Sequence, residues 1–120
     1  NSTGLLVPIS LKADIPFKPS RVFIIHGKKN SIRGDHAHYK CSQFLIPLSG
    51  SMTVEYENKK GKFKKMLSFN KNNNLLLKPK TWCKIKFNTK NSKLMVFCDR
   101  EYDFSDYIEK HNEFLDIIKK

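Results

Sequence analysis

Apolar residues in this chain come in short alternating runs broken by turn residues, a punctuation that leaves almost no room for long helices. The runs cover residues 5–11, 21–26, 43–49, 52–57, 63–69, 75–78, 82–87 and 94–98. Between them lie Pro16-Phe17-Lys18-Pro19, Ser49-Gly50-Ser51, Lys59-Lys60-Gly61 and the asparagine-rich stretch 70–74, each with turn chemistry. Eight or nine short strands at this spacing predict a β-sandwich or barrel. Met52, Val54 and Tyr56 share one face while Thr53, Glu55 and Glu57 share the other, the pattern of a half-buried strand. Lys59 to Lys65 reads as a solvated hairpin tip. Only residues 103–119 read as helix, with Asp103 or Ser105 as cap and Ile108, His111, Leu115 and Ile118 at helical spacing.

At 120 residues the chain has length for one core and not two. The expected organisation is a single domain over 1–120, with a β body to residue 98 and the helix at the end. Apolar residues make up 39%, and nine are phenylalanines, enough for a packed interior. No apolar run is long enough to span a bilayer. Cys41, Cys83 and Cys98 cannot all pair and lack zinc-like spacing, which predicts a reducing, cytoplasmic setting. No leader pattern opens the sequence, and because it begins at Asn1 the natural start is expected upstream.

The net charge is +12, a value that by itself suggests nucleic acid or an anionic surface. Only three of the 23 basic residues are arginine, however, and groove readers and phosphate clamps lean on arginine. The charge is also uneven: residues 1–98 hold 19 basic and 4 acidic side chains, residues 99–120 hold 4 and 7. Nucleic acid is therefore not the expected partner, and most lysines belong on solvated strand faces.

Arg33-Gly34-Asp35-His36-Ala37-His38 carries the chemistry. On a strand, residues i and i+2 share a face, so His36 and His38 present both imidazoles to one space. Such a pair can bind a metal or share acid–base work. The wider spacing, Asn30-x5-His36-x-His38-x4-Gln43-x6-Gly50, resembles the first cupin motif. Asn73-x5-Pro79-x-Thr81-x2-Lys84-x3-Asn88 resembles the second, with Lys84 where a third histidine normally stands. Asparagine at two glycine positions is tolerable because it adopts positive φ more readily than most residues. The resemblance implies an all-β cupin jelly roll (double-stranded β-helix) with a short C-terminal α-helix. A metal-binding cupin would add a glutamate and a third histidine, and here those positions hold Gln43 and Lys84. An amide is a poor ligand and a protonated lysine repels a cation, so no metal is expected.

Taken together, Ile15-Pro16-Phe17, Arg21-Val22-Phe23, the Arg33–His38 segment, Gln43, Ser49-Gly50-Ser51, Pro79-x-x-Trp82 and Tyr102-x-x-Ser105-Asp106-Tyr107-Ile108 resemble the dTDP-sugar 3,4-ketoisomerases, the WxcM-like cupins also called FdtA or QdtA. That resemblance implies conversion of dTDP-4-keto-6-deoxy-D-glucose to a 3-keto isomer by histidine acid–base transfer through an enediol, without a redox cofactor. It also implies a homodimer, with exchanged strands. His38 is the expected base at carbon and His36 the group that handles the oxygen proton, with the reverse order open. The family usually has a tyrosine near His26, which makes His26 a third catalytic candidate. Arg33 is the first candidate for the diphosphate and Arg21 the second. Gln43, Trp82 and Lys84 are candidate substrate contacts; core packing competes for Trp82, and alternation leaves the facing of Lys84 open. Tyr102, Asp106 and Tyr107 are expected to dock the helix. The rival readings are a cupin dTDP-sugar epimerase, a non-catalytic sugar-nucleotide-binding cupin, and a metal cupin with an unrecognised ligand.

Overall fold

Alternation along each strand decides which side chains enter the interior, and two sheets close around them. The computed structural model describes residues 3–120. One sheet has four antiparallel strands in the order β1 (Arg21–Gly27), β8 (Ser92–Cys98), β3 (Gln43–Ser49), β6 (Leu75–Leu77). The other has five, ordered β5 (Gly61–Ser68), β4 (Ser51–Asn58), β7 (Trp82–Phe87), β2 (Ile32–His38), β9 (Tyr107–Ile108). Sequential strands alternate between the sheets over much of the chain, giving the jelly roll expected from sequence. Leu45, Met52, Val54, Ile85, Phe87, Leu94 and Val96 fill the space between the sheets. At Gly50, between β3 and β4, φ is 70° and an added Cβ would meet Ser92 and Thr89, so the turn accepts glycine alone.

Three elements differ from the sequence reading. Residues 5–11 form no strand: no neighbouring strand in the chain offers them a ladder, and Leu5 and Leu6 are 74% and 82% exposed. The terminal helix, α1, is only His111–Ile118. Asp103 caps a single 3-10 turn at Phe104–Asp106 instead, and Ile108 belongs to β9. Pairing with β2 outcompetes helix there because it buries Ile108 against Ala37. Lys62, Lys64 and Lys65 lie within β5, so the tip of that hairpin is only Lys59 and Lys60.

Helix α1 lays Phe114 on the outer face of the five-stranded sheet, against Trp82, Ala37 and Ile108. Trp82 is thus core, and its indole Nε1 donates to Asp35 Oδ1 at 3.1 Å. Trp82→Phe keeps the ring packing and removes the donor. A loss of about 1 kcal/mol in urea unfolding is expected; an unchanged midpoint would show that the bond contributes nothing.

Candidate active site

As a regular strand β2 would not present this site. Arg33 pairs with Ile85 and Gly34 with Lys84, but the next pair is His36 with Cys83. Asp35 is the extra residue of a β-bulge. Regular alternation would put Arg33 and His36 on opposite faces. The bulge resets the phase, so Arg33, His36 and His38 all line one interior cavity of about 980 Å³. It is built from two consecutive left-handed residues, Gly34 at φ 88° and Asp35 at φ 66°. The Asp35 carboxylate goes to the outer face, where Trp82 holds it.

Within the cavity the His36 and His38 rings stand edge to face, 5.2 Å apart between centroids. The Tyr107 ring lies 4.9 Å from His36 and 4.4 Å from His38. Tyr107 reaches this place because β9 pairs it directly opposite His38. One residue earlier, Asp106 Oδ2 sits 3.3 Å from His38 Nδ1, within ion-pair distance. Asp106 also accepts the backbone N–H groups of Lys40 and Cys41, at 2.9 and 3.1 Å. Those two bonds fix the carboxylate before any charge develops on the imidazole. Asp106 and Tyr107 were missed as site residues because the segment was read with helical period; as a strand beside His38 it faces the cavity.

Burial holds both histidines below the ordinary imidazole value of 6.5. For His38 the neighbouring His36 lowers it further, while Asp106 opposes both effects. Each ring is therefore neutral near pH 7 and able to accept a proton. The fold shares this dependence. Because the unfolded chain binds protons that the native rings refuse, stability is lost as pH falls below 6.5.

Gln43 lines the cavity on the opposite sheet, its Nε2 donating to Cys98 Sγ at 3.7 Å. Three other sequence candidates, Arg21, Trp82 and Lys84, sit elsewhere than expected. Arg21 stands behind the wall, with Nη2 donating to Cys98 Sγ at 3.4 Å and its guanidinium over the rings of Phe23 and Tyr102. His26 lies on the face of β1 that carries exposed Val22 and Ile24, and it too lines the cavity. A phenol, that of Tyr107, stands beside the two histidines. Trp82 and Lys84 line a separate groove of about 470 Å³ on the outer face, with Glu55 and Glu57.

Lys84 faces outward because the second cupin motif runs one residue earlier than its spacing suggested. Positive φ falls at Asn72 and Lys80, not at Asn73 and Thr81, and Cys83 is the residue that faces His36. Burial pushes the Cys83 thiol up to about 12, so it stays protonated and is a poor ligand. Among the described residues no group of three or more histidine, cysteine or carboxylate side chains is placed to hold a metal ion.

A jelly roll that carries paired histidines into its barrel from one strand is a cupin. The chain belongs to the WxcM-like, C-terminal family (FdtA), whose model matches residues 1–119. It is 31% identical to the TDP-4-oxo-6-deoxy-alpha-D-glucose-3,4-oxoisomerase of Aneurinibacillus thermoaerophilus, across all of this chain and 86% of that one. It superposes on QdtA, a sugar 3,4-ketoisomerase of Thermoanaerobacterium thermosaccharolyticum in complex with TDP, with a TM-score of 0.88 and 32% identity. That match covers 99% of this chain and 87% of the other. A histidine-to-asparagine mutant of that enzyme in complex with TDP-4-keto-6-deoxyglucose matches at 31% identity and a TM-score of 0.88, over 99% and 86% of the two chains. WlaRA, the TDP-fucose-3,4-ketoisomerase of Campylobacter jejuni, is 29% identical, with a TM-score of 0.87 over 98% and 88% of the two chains. These relatives are TDP-sugar 3,4-ketoisomerases.

Proposed function

We propose that this protein moves the ketone of a TDP-linked 4-keto-6-deoxy sugar from C4 to C3. The observation that carries the reading is the cavity itself: two neutral histidines and a phenol meet there, with Arg33 on the same wall. The hydrogen on C3 is acidic because it is α to the C4 carbonyl. His38 takes it, and the electron pair passes to O4, which gains a proton to give the enediol. Loss of the O3 proton and protonation at C4 then leave the ketone at C3. Hydrogens and electrons are conserved, so the conversion consumes no oxidant or reductant.

His38 is the better base of the pair because Asp106 stands behind it to stabilise the imidazolium. His36, less deeply placed, and the Tyr107 hydroxyl serve the oxygen protons. Arg33, at the cavity wall, takes the diphosphate. The product configuration at C4 depends on which face of the enediol meets the acid. A second copy of the chain covers the exposed Val22 and Ile24 on edge strand β1, and residues 5–11 supply the exchanged strand; light scattering should give twice the chain mass. Three free cysteines fit a cytoplasmic site of action, and no helix among the described residues is long and apolar enough to cross a membrane.

Trapping the carbonyl with borodeuteride tests the reaction. After incubation of chelator-treated protein with TDP-4-keto-6-deoxyglucose, deuterium should appear at C3 of the reduced sugar. Label confined to C4 would contradict the reading. The pH profile tests the base. The acid limb of kcat/KM should have its midpoint below 6.5. Asp106→Asn removes a charge that favours imidazolium, so the limb should move to still lower pH while kcat falls. A limb that stays in place would remove Asp106 from its positioning role.

A further inference from the structure

Three residues on neighbouring strands form one polar row behind the cavity wall. In the four-stranded sheet Arg21 lies directly opposite Cys98, and Cys98 directly opposite Gln43. Residues paired in this way share a face of the sheet, and hydrogen bonds join all three. Arg21 Nη2 donates to Cys98 Sγ at 3.4 Å, and Gln43 Nε2 donates to the same sulfur at 3.7 Å. Gln43 lines the cavity, so with its amide nitrogen tied back the carbonyl end is left to accept from a ligand hydroxyl. On its other side the Arg21 guanidinium stands 5.3 Å from the centre of the Phe23 ring and 5.5 Å from that of Tyr102. The Tyr102 ring is 6.0 Å from the Tyr107 ring, which rests 4.4 Å from His38. The Tyr107 hydroxyl is a further partner of the guanidinium.

We infer that Arg21 is a positioning residue of the ketoisomerase site, whose guanidinium orients Gln43 through the Cys98 sulfur on one wall and holds Tyr107 beside the histidines on the other. This assignment rests on the ketoisomerase reading. Arg21 lies outside the cavity lining and acts through the two groups it holds. Gln43 then presents its carbonyl to a sugar hydroxyl, and Tyr107 presents its hydroxyl to the oxygens that exchange protons. A cation at this place is costly. Its Nε is buried without a hydrogen-bond partner, and among the described residues no carboxylate lies within ion-pair distance of it. Packing alone would be met as well by an apolar side chain of this length.

The charge of Arg21 also reaches the base. Burial and the neighbouring His36 hold His38 below 6.5, Asp106 opposes them, and Arg21 adds to the lowering. Around Tyr107 the titratable and charged groups are Arg21, Tyr102 and Cys98, with His36 and His38 against its ring. Arg21 and Asp106 therefore bracket His38 with opposite charges. The carboxylate favours the imidazolium, and the guanidinium favours the neutral base.

Arg21→Met and Arg21→Lys test the assignment in the full chain. Without substrate, the His38 ring titration followed by NMR should move to higher pH in Arg21→Met, and the Overhauser contacts of the Tyr107 ring with His36 and His38 should weaken. Arg21→Lys keeps the charge and loses the planar fork, so its His38 midpoint should stay near that of the parent chain. With TDP-4-keto-6-deoxyglucose, kcat of Arg21→Met should fall about tenfold or more, and Arg21→Lys should recover part of it. The acid limb of kcat/KM should move up in Arg21→Met, the reverse of the shift expected for Asp106→Asn. If Arg21→Met fails to fold, Tyr102→Leu takes its place: Tyr102 is 62% exposed, and loss of its ring should weaken the same contacts and lower kcat. A folded Arg21→Met with the parent's titration, ring contacts and kcat would make Arg21 a packing residue and overturn the inference. An Arg21→Lys protein no better than Arg21→Met in both titration and kcat would overturn it too. Absence of turnover in the parent chain strikes at the ketoisomerase reading, while the titration and the ring contacts still decide what Arg21 holds in place.

Discussion

His38→Asn is expected to lower kcat by about 10²–10⁴-fold while TDP still binds. The amide is close to imidazole in shape and can stay beside Asp106, yet it cannot take a proton at neutral pH. What the substitution removes is the transfer from carbon, the step with the highest demand on a base. In the proposed scheme nucleotide affinity rests on other groups, Arg33 foremost, so titration with TDP should give a curve near that of the parent chain. His36→Asn provides the comparison, because among the described residues no carboxylate lies within ion-pair distance of His36, and it handles only oxygen protons in this scheme. Undiminished kcat in His38→Asn would remove the base assignment. Equal loss in both variants would return the order of the two histidines to an open question.

Gly34→Ala is the second large effect, and it acts on fold and site together. Glycine 34 has φ 88°, and a Cβ there would lie 2.8 Å from the backbone carbonyl oxygen of Cys83. Carbonyl oxygen is part of the ladder and cannot swing aside as a side-chain tip can. The backbone conformation alone costs about 1–3 kcal/mol for a residue with Cβ, and relief of the clash must come from the bulge. Any relaxation of the bulge toward a regular strand turns His36 and His38 out of phase with Arg33, since a one-residue slip exchanges the faces. The urea midpoint and kcat are therefore expected to fall together. A variant that loses stability but keeps the parent kcat would show that the bulge does not set the histidines.

Most of the barrel was legible because its apolar runs are short and bounded by turn residues. Residues 52–57 alternate, 43–49 and 82–87 are short apolar runs between turn residues, and each became a strand with bounds shifted by one residue or less. Misreadings came where a neighbour, and not the local pattern, decided the outcome. Ile108, His111, Leu115 and Ile118 fit a helical period, but Ile108 gains more beside Ala37 than on a helix face. Residues 5–11 alternate like a strand and have no partner in one chain. At the site, the sequence pointed to His36, His38, Arg33 and Gln43, and the structure brings all four to one cavity. How Arg33 and His36, three residues apart, come to share a face was not legible, because the bulge at Asp35 depends on contact with Cys83 and Trp82. Lys84 was misplaced by anchoring the second motif on Pro79; the left-handed residues Asn72 and Lys80 give the true register.

The +12 charge now has a smaller role than its size suggested. Of the three arginines, Arg33 lines the cavity, Arg21 bonds the Cys98 sulfur and Arg100 is exposed, so the proposed diphosphate role falls to Arg33. The lysine excess raises the local concentration of an anionic substrate by long-range attraction, an effect that salt should weaken in kcat/KM more than in kcat.

Carbon–hydrogen chemistry at C3 and C4 is the core of the mechanism, and proton NMR in D₂O reads it directly. With TDP-4-keto-6-deoxyglucose as substrate, the C3 hydrogen should be lost, a hydrogen or deuterium should appear on C4, and the ketone carbon should move to C3. The His38→Asn protein should leave all three signals as they began. A ketone that stays at C4 while C3 or C5 exchanges would identify an epimerase instead, and an unaltered spectrum with tight TDP binding would leave a sugar-nucleotide-binding protein without the proposed chemistry.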